Sequence, residues 1–216
     1  MLVGIVVAVV AIGGLYLLMG GKDGGINIPI IGSSSPPVHT FAFTDVTPAY
    51  ESTQINVDRN KQSQAAKTAT PDVQAVVTQL LQTGYVAPST WGDAGAIEDL
   101  FTDDAKKQVE PNVDTLTFGA DSSATYETLT PEDSKLKVTV LINGDAAVTR
   151  AMAQIWFHGL AAGTDGAPKT EVTVTGTVFL VPDGNNWKIE AFGLDRQETP
   201  AKVSSPTAST SPSESP

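Results

Sequence analysis

From Ser134 onward the side chains alternate. Leu136, Val138, Val140 and Ile142 fall on one face of an extended chain and Lys135, Lys137 and Thr139 on the other, the period of two that marks a half-buried strand. Asn143-Gly144 follows, and because both residue types tolerate positive φ, the dipeptide predicts a tight hairpin. A second run over 146–161 ends in the turn formers Gly163-Thr164-Asp165-Gly166-Ala167-Pro168. A third sets Val172, Val174, Gly176, Val178 and Leu180 against Glu171, Thr173, Thr175 and Thr177, closing at Pro182-Asp183-Gly184-Asn185. The fourth, over 186–195, sets Trp187, Ile189 and Ala191 against Lys188 and Glu190. Four successive antiparallel strands make a meander with one apolar face, and such a face must be covered by something earlier in the chain.

The second run is two-sided. Ala147, Ala151, Ala153, Ile155 and Phe157 share one face, while Val148, Met152, Trp156 and His158 occupy the other with Arg150 and Gln154. A central strand covered on both sides reads this way, and so does one whose second face meets a partner.

The cover is helical. Thr70-Pro71-Asp72 combines a capping residue, a first-turn proline and an acid, so a helix is predicted to begin there. Val73, Val76, Val77, Leu80 and Leu81 form one apolar stripe, and Gly84 marks its end, with Tyr85 next. After Gly92-Asp93, a shorter amphipathic helix is predicted through Ile97, Leu100, Phe101 and Ala105, with Glu98, Asp99, Asp103 and Asp104 outside and Lys106 and Lys107 at its far end. Upstream, residues 39–43 alternate like a short strand, and the polar stretch to Ala69 reads as irregular surface.

The first twenty residues differ from all of this. Residues 2–19 carry no charge, and a helix of that length crosses most of a hydrocarbon core of about 30 Å. They exceed the usual apolar region of a cleaved signal and lack its basic start and small-residue cleavage site, so a membrane anchor is expected, with the remainder of the chain on the far side. The organisation that follows is an anchor over 1–20, a tether and irregular segment over 21–69, a folded domain over 70–198, and a disordered Ser/Thr/Pro tail over 199–216.

Composition narrows the function classes. A net charge of -11, from 13 basic and 24 acidic residues, argues against nucleic acid as a partner, because phosphate binding needs clustered Lys and Arg. No cysteine means no disulfide, thiolate metal site or cysteine nucleophile. His39 has no second ligand at metal spacing, the acids at 99, 103 and 104 read as a solvated helix face, and no phosphate-loop, dinucleotide or nucleophile-elbow motif is present. No metal and no cofactor are expected.

Two amphipathic helices ahead of a meander, with Leu100-Phe101-Thr102-Asp103-Asp104-Ala105 after a Gly-Asp turn and Asp183-Gly184-Asn185-Asn186-Trp187-Lys188-Ile189 opening the last strand, resemble the NTF2-like superfamily over about Thr70 to Arg196. With its expected anchor, the chain resembles the membrane-anchored, extracytoplasmic kind of this domain seen in actinobacteria. The resemblance implies an α+β cone: a curved antiparallel sheet packed on the helices before it, here preceded by one transmembrane helix. Ketosteroid-isomerase-like members use a tyrosine and carboxylic acids inside the cone. Tyr85 is the tyrosine counterpart here, but the strand positions that would supply a buried acid are mostly apolar or Thr.

No catalytic set is therefore assigned. Tyr85, Trp156 and His158 are the candidate ligand-binding residues, His158 with Asp195 or Glu190 as candidate partners, each against the plainer reading of a packing or rim residue. The functional expectation is an extracytoplasmic accessory or scaffold domain, acting by association with a protein partner or a second copy in the cell envelope. The alternative is binding or turnover of a small apolar ligand in the cone.

Overall fold

The computed structural model describes residues 39–52, 58–164 and 169–201. The anchor read over 1–20, residues 21–38 and 53–57 of the tether and irregular segment, residues 165–168 of the turn after the second run, and residues 202–216 of the tail lie outside the described residues. Among the described residues, no helix is long and apolar enough to cross a membrane.

The strands in chain order are β1 Asp45–Ser52, β2 Tyr126–Pro131, β3 Lys135–Ile142, β4 Val148–Gly163, β5 Thr170–Asp183 and β6 Asn186–Pro200. They form one sheet in the order β1-β3-β4-β5-β6, with β2 also paired to β4. The alternating runs become β3 to β6 with antiparallel pairing throughout. Their apolar members Leu136, Val138, Val140, Ala153, Phe157, Val174, Val178, Leu180 and Ile189 are buried on the inner face. This is an α+β fold with a curved, open, antiparallel-rich sheet.

Curvature has local causes. Gly176 has φ 145 and lies so close to the opposite strand that a Cβ would overlap the Gly193 carbonyl oxygen. Irregular register at Tyr126/Thr128, Leu141/Ile142 and Phe179/Leu180 bends the ladder further. The last of these corrects the fourth strand: Phe179 pairs with Ala191 and Leu180 with Ile189, so Glu190 is the extra residue. Faces swap there, leaving Ala191 exposed and Phe192 and Leu194 packed against the core.

The turns also differ in detail. The chain reverses after Asn143, but positive φ falls on Ala146 (φ 60), and the Asn143 carboxamide oxygen accepts from the Asp145 and Ala147 amides. This is the three-residue loop that ends in a left-handed residue, one of the common hairpin closures. Ala147 therefore belongs to the turn, not to the inner face of β4. At the β5–β6 hairpin Gly184 takes φ 62, as the Asp-Gly signal implies.

The helical layer is redistributed. One long helix, α1 Arg59–Leu81, covers the sheet and contains Pro71 in its interior. It starts on Asp58, whose carboxylate accepts from the Asn60 amide at 2.9 Å, not at Thr70. The Thr70 hydroxyl instead donates back to the Ala66 carbonyl at 2.7 Å. The buried stripe runs on upstream through Gln62, Ala66 and Ala69, residues too small or polar to register as an apolar pattern. In place of a second amphipathic helix there is a 3-10 turn at Glu98–Leu100, an isolated bridge from Phe101 to Ile189, and the single turn α2 Asp103–Lys106. Ile97, Leu100, Phe101 and Ala105 are all buried as their spacing predicts. The backbone between them is pinned straight because the Thr102 amide donates to the Ile189 carbonyl at 2.9 Å.

The irregular segment before residue 70 is also corrected. The side chains of Phe41 and Phe43 are buried, yet the strand is β1, just downstream. It runs parallel to β3 from Asp45 opposite Lys135 to Ser52 opposite Ile142. Pro48 within it suits an edge position, where a missing N–H goes unused. β6 likewise continues to Pro200, two residues past the expected domain end at 198, with Thr199 opposite Glu171 and Pro200 opposite Thr170.

Candidate functional site

The three residues singled out in the sequence do not converge. Tyr85 lies on the inner side, wholly buried, with its ring 5.7 Å from that of Phe157 and its hydroxyl donating to the Thr115 carbonyl. Burial pushes its phenol far above the ordinary range, Arg196 pulling it down and Glu198 adding to the rise. It is a packing residue with a satisfied hydroxyl. Phe157, Phe118, Phe101, Leu80, Leu116 and Leu129 fill the space around the helix and sheet with almost no exposure. Trp156 and His158 lie on the opposite, outward face of β4.

The alternation of β4 dictates that split. Ala151, Ala153, Ile155 and Phe157 face in, so Met152, Gln154, Trp156 and His158 face out. Trp156 is 38% exposed, and its indole stacks on the His158 imidazole at 5.8 Å with the planes 17° apart. The Lys135 ammonium, directly across from Trp156 in the register, lies 5.8 Å from the indole centroid.

What sets this corner apart is the junction of β2 and β3. Both pair with β4, with Pro131 opposite Gly159 and Lys135 opposite Trp156, so the chain takes four steps from 131 to 135 while β4 takes three from 159 to 156. One residue is extra, and a bulge of this kind re-aims side chains at the rim of a sheet. Here it directs the Glu132 carboxylate at His158, with Oε2 3.1 Å from Nδ1. The Glu132 amide donates to the His158 carbonyl at 2.8 Å, and the buried Ser134 hydroxyl accepts from the His158 amide at 3.2 Å. The Thr44 amide and hydroxyl both donate to the Ser134 carbonyl, closing the corner from the β1 side.

The result is an open cleft of about 650 Å³ between residues 40–44, the 131–133 turn and the outward face of β4. Neither Asp195 nor Glu190 partners His158: Asp195 pairs across from Thr175 on β6, and Glu190 holds Arg150 at 3.0 Å. The signal for Glu132 in the sequence is Thr130-Pro131-Glu132-Asp133-Ser134, a cluster of turn formers immediately ahead of an alternating run. His39 lies near the same turn, Nε2 3.1 Å from the Thr130 hydroxyl. Among the described residues no group of three or more His, Asp or Glu could hold a metal ion.

No protein-family model and no curated protein matches this chain. Solved structures similar to it include the following three. One is a protein assigned as a scytalone dehydratase from Novosphingobium aromaticivorans, 11% identical over 65% of this chain and 93% of its own, at a TM-score of 0.41. The others are a hexachlorocyclohexane dehydrochlorinase (LinA) of type 2 and the LinA type 3 enzyme of Novosphingobium barchaimii. Each is 11% identical over 67% of this chain, at a TM-score of 0.40, covering 94% and 95% of their own lengths. Those activities belong to those proteins.

Beyond the cleft, the outward face carries a second apolar feature. Met152 and Phe179 are cross-strand neighbours, and Phe179 pairs in turn with Ala191. Phe179 is 41% exposed. Trp156 stands on the same face of β4, two outward positions along from Met152.

Proposed function

We propose that this chain is an association domain that binds a protein partner, or a second copy of itself, through the outward face of its sheet. The observation that carries the reading is the pair of large apolar side chains left in water there, Trp156 and Phe179, the latter flanked by Met152 and Ala191. Large apolar side chains exposed on the second face of a sheet already covered on its other side mark an interaction site. The charge-free stretch at 2–19 supports the further reading that the domain is held to a cell membrane from its N-terminal side and acts outside the cytoplasm.

The test compares wild type with Trp156→Ala and Phe179→Ser in crosslinked membranes and by sedimentation of the purified protein. Wild type is expected to be recovered in a defined complex, hetero- or homomeric, that both substitutions dissolve without lowering the melting temperature. A wild-type protein that is monomeric and always recovered alone counts decisively against it.

One observation favours a second reading, binding or turnover of a small molecule. His158 is held through Nδ1 by Glu132 while its Nε2 has no partner among the described residues, and both line the open cleft. A carboxylate-oriented imidazole with a free nitrogen is the arrangement a general base requires. The inner side, packed with Tyr85, Phe157 and Leu129, leaves that cleft as the place for such a ligand. Small-molecule screening against wild type and His158→Ala, read by thermal shift, separates the two readings.

A further inference from the structure

We infer that the occupant of the outward face is a second copy of this chain, packed sheet to sheet about a two-fold axis that runs parallel to the strands between β4 and β5. This rests on the association reading above and commits it to one partner and one register.

Strand pairing lays the outward side chains in rows across the sheet. One row is Lys135, Trp156, Thr175 and Asp195, on β3, β4, β5 and β6 in turn. Further along the same strands, another is Thr139, Met152, Phe179 and Ala191. The first row carries opposite charges at its two ends, and the second carries its two largest apolar groups in the middle. Neither charge is paired: among the described residues, no ion pair involves Lys135 or Asp195. The Lys135 ammonium rests 5.8 Å from the Trp156 centroid, and the exposed Asp195 carboxylate accepts from the Gln197 carboxamide at 3.0 Å.

A two-fold axis along the strands reverses the strand order of the second copy while keeping each row over itself, so every contact occurs twice. With the axis between β4 and β5, β3 of one copy lies over β6 of the other and β4 lies over β5. Lys135 then meets Asp195 of the second copy at both ends of the contact, and Phe179 meets Met152 of the second copy twice at its centre. In the row between, Lys137 lies over Gly193, which has no atom within 4 Å of the place a Cβ would take. Sheets packed this way lie about 10 Å apart with strands within about 30° of each other, a gap that a lysine and an aspartate span together. Shifting the axis by half a strand spacing destroys the match. On β4 it sets Asp45, which is opposite Lys135 on β1, over Asp195 as like charges. On β5 it carries Lys135 past the edge of the second sheet.

Charge reversal tests the register, because two strands separate residues 135 and 195 within one chain and a contact between them forms across copies. Full-length wild type, Lys135→Asp and Asp195→Lys are compared by sedimentation equilibrium in density-matched detergent micelles, with melting temperatures followed to confirm folding. Lys135→Glu and Asp195→Arg provide a second pair. Wild type is expected to be dimeric. Each substitution alone sets like charges together at both ends and should weaken the dimer by about two- to thirty-fold, the size of two exposed ion pairs lost. An equimolar mixture of the two variants should regain near-wild-type affinity as a heterodimer, since each altered side chain then faces its opposite. A dimer indifferent to both reversals, or a mixture no tighter than its components, overturns the inference. So does a monomeric wild type that is crosslinked in membranes to a foreign protein and released by Phe179→Ser, a result that leaves the association reading standing. A wild type that is monomeric and always alone removes both.

Discussion

Replacing Pro71 by alanine should make this protein more stable. Pro71 lies inside α1, where its ring removes the amide that would donate to the Lys67 carbonyl and crowds that same carbonyl. In a helix interior proline is about 3 kcal/mol less favourable than alanine, and its stiffening of the unfolded chain returns about 0.4–1 kcal/mol, leaving a net gain of about 2 kcal/mol for Pro71→Ala. The side chain is exposed, so no packing is lost. The Thr70 hydroxyl, already bonded to the Ala66 carbonyl, is untouched. In a chain of this size the gain corresponds to a rise in melting temperature of about 4–8 °C. It also corresponds to a shift of about 1 M in the urea midpoint, the slope of the transition staying constant. An unchanged or lower midpoint would refute the reasoning. It would mean that a bend at residue 71 is what lets Gln62, Ala66 and Ala69 reach the sheet.

Two further substitutions probe the core. Gly176→Ala imposes a φ of 145 on a residue with a Cβ and drives that carbon into the Gly193 carbonyl. A loss of about 3 kcal/mol or more is expected from strain and overlap together, measured by the same urea titration. Tyr85→Phe strips the Thr115 carbonyl of its donor and should cost about 1–3 kcal/mol. The same residue predicts an alkaline limb. Because burial raises its phenol in the folded state above the unfolded value of about 10, stability is intact below that pH and falls progressively above it, and Tyr85→Phe should flatten the fall.

The parts of the fold legible in the sequence are those whose signal is local. β3 to β6 announce themselves because each buries one face and their turns carry Gly, Asn or Asp. β1 does not, since Asp45-Val46-Thr47-Pro48 alternates weakly, contains a proline, and earns its place only by parallel pairing with a strand far along the chain. The start of α1 was hidden twice over. Thr70-Pro71-Asp72 imitates a helix beginning, and the true first turns bury alanine and glutamine where an apolar stripe would be sought. The bulge at Glu190 is likewise invisible, because register is a property of two strands and not of one. Of the candidate site, the neighbourhood of Trp156 and His158 follows from their spacing of two on a strand. Glu132, which completes it, arrives through an extra residue in a different strand, and Tyr85 is separated from both by the thickness of the sheet.

The parallel placement of β1 has a kinetic consequence. Thr44 and Ser134, the first contact of that pairing, are separated by 90 positions, so a long stretch must be looped before β1 finds β3. β4 to β6, by contrast, are joined by short reversals. Assembly should thus proceed from the carboxyl-terminal ribbon outward, with β1 zipped on at the end. Amide exchange at Val46, Ala49 and Glu51 should outpace that at Ile155 and Val174. Tension applied from the His39 side would meet this latecomer before any other strand, sparing the meander behind it.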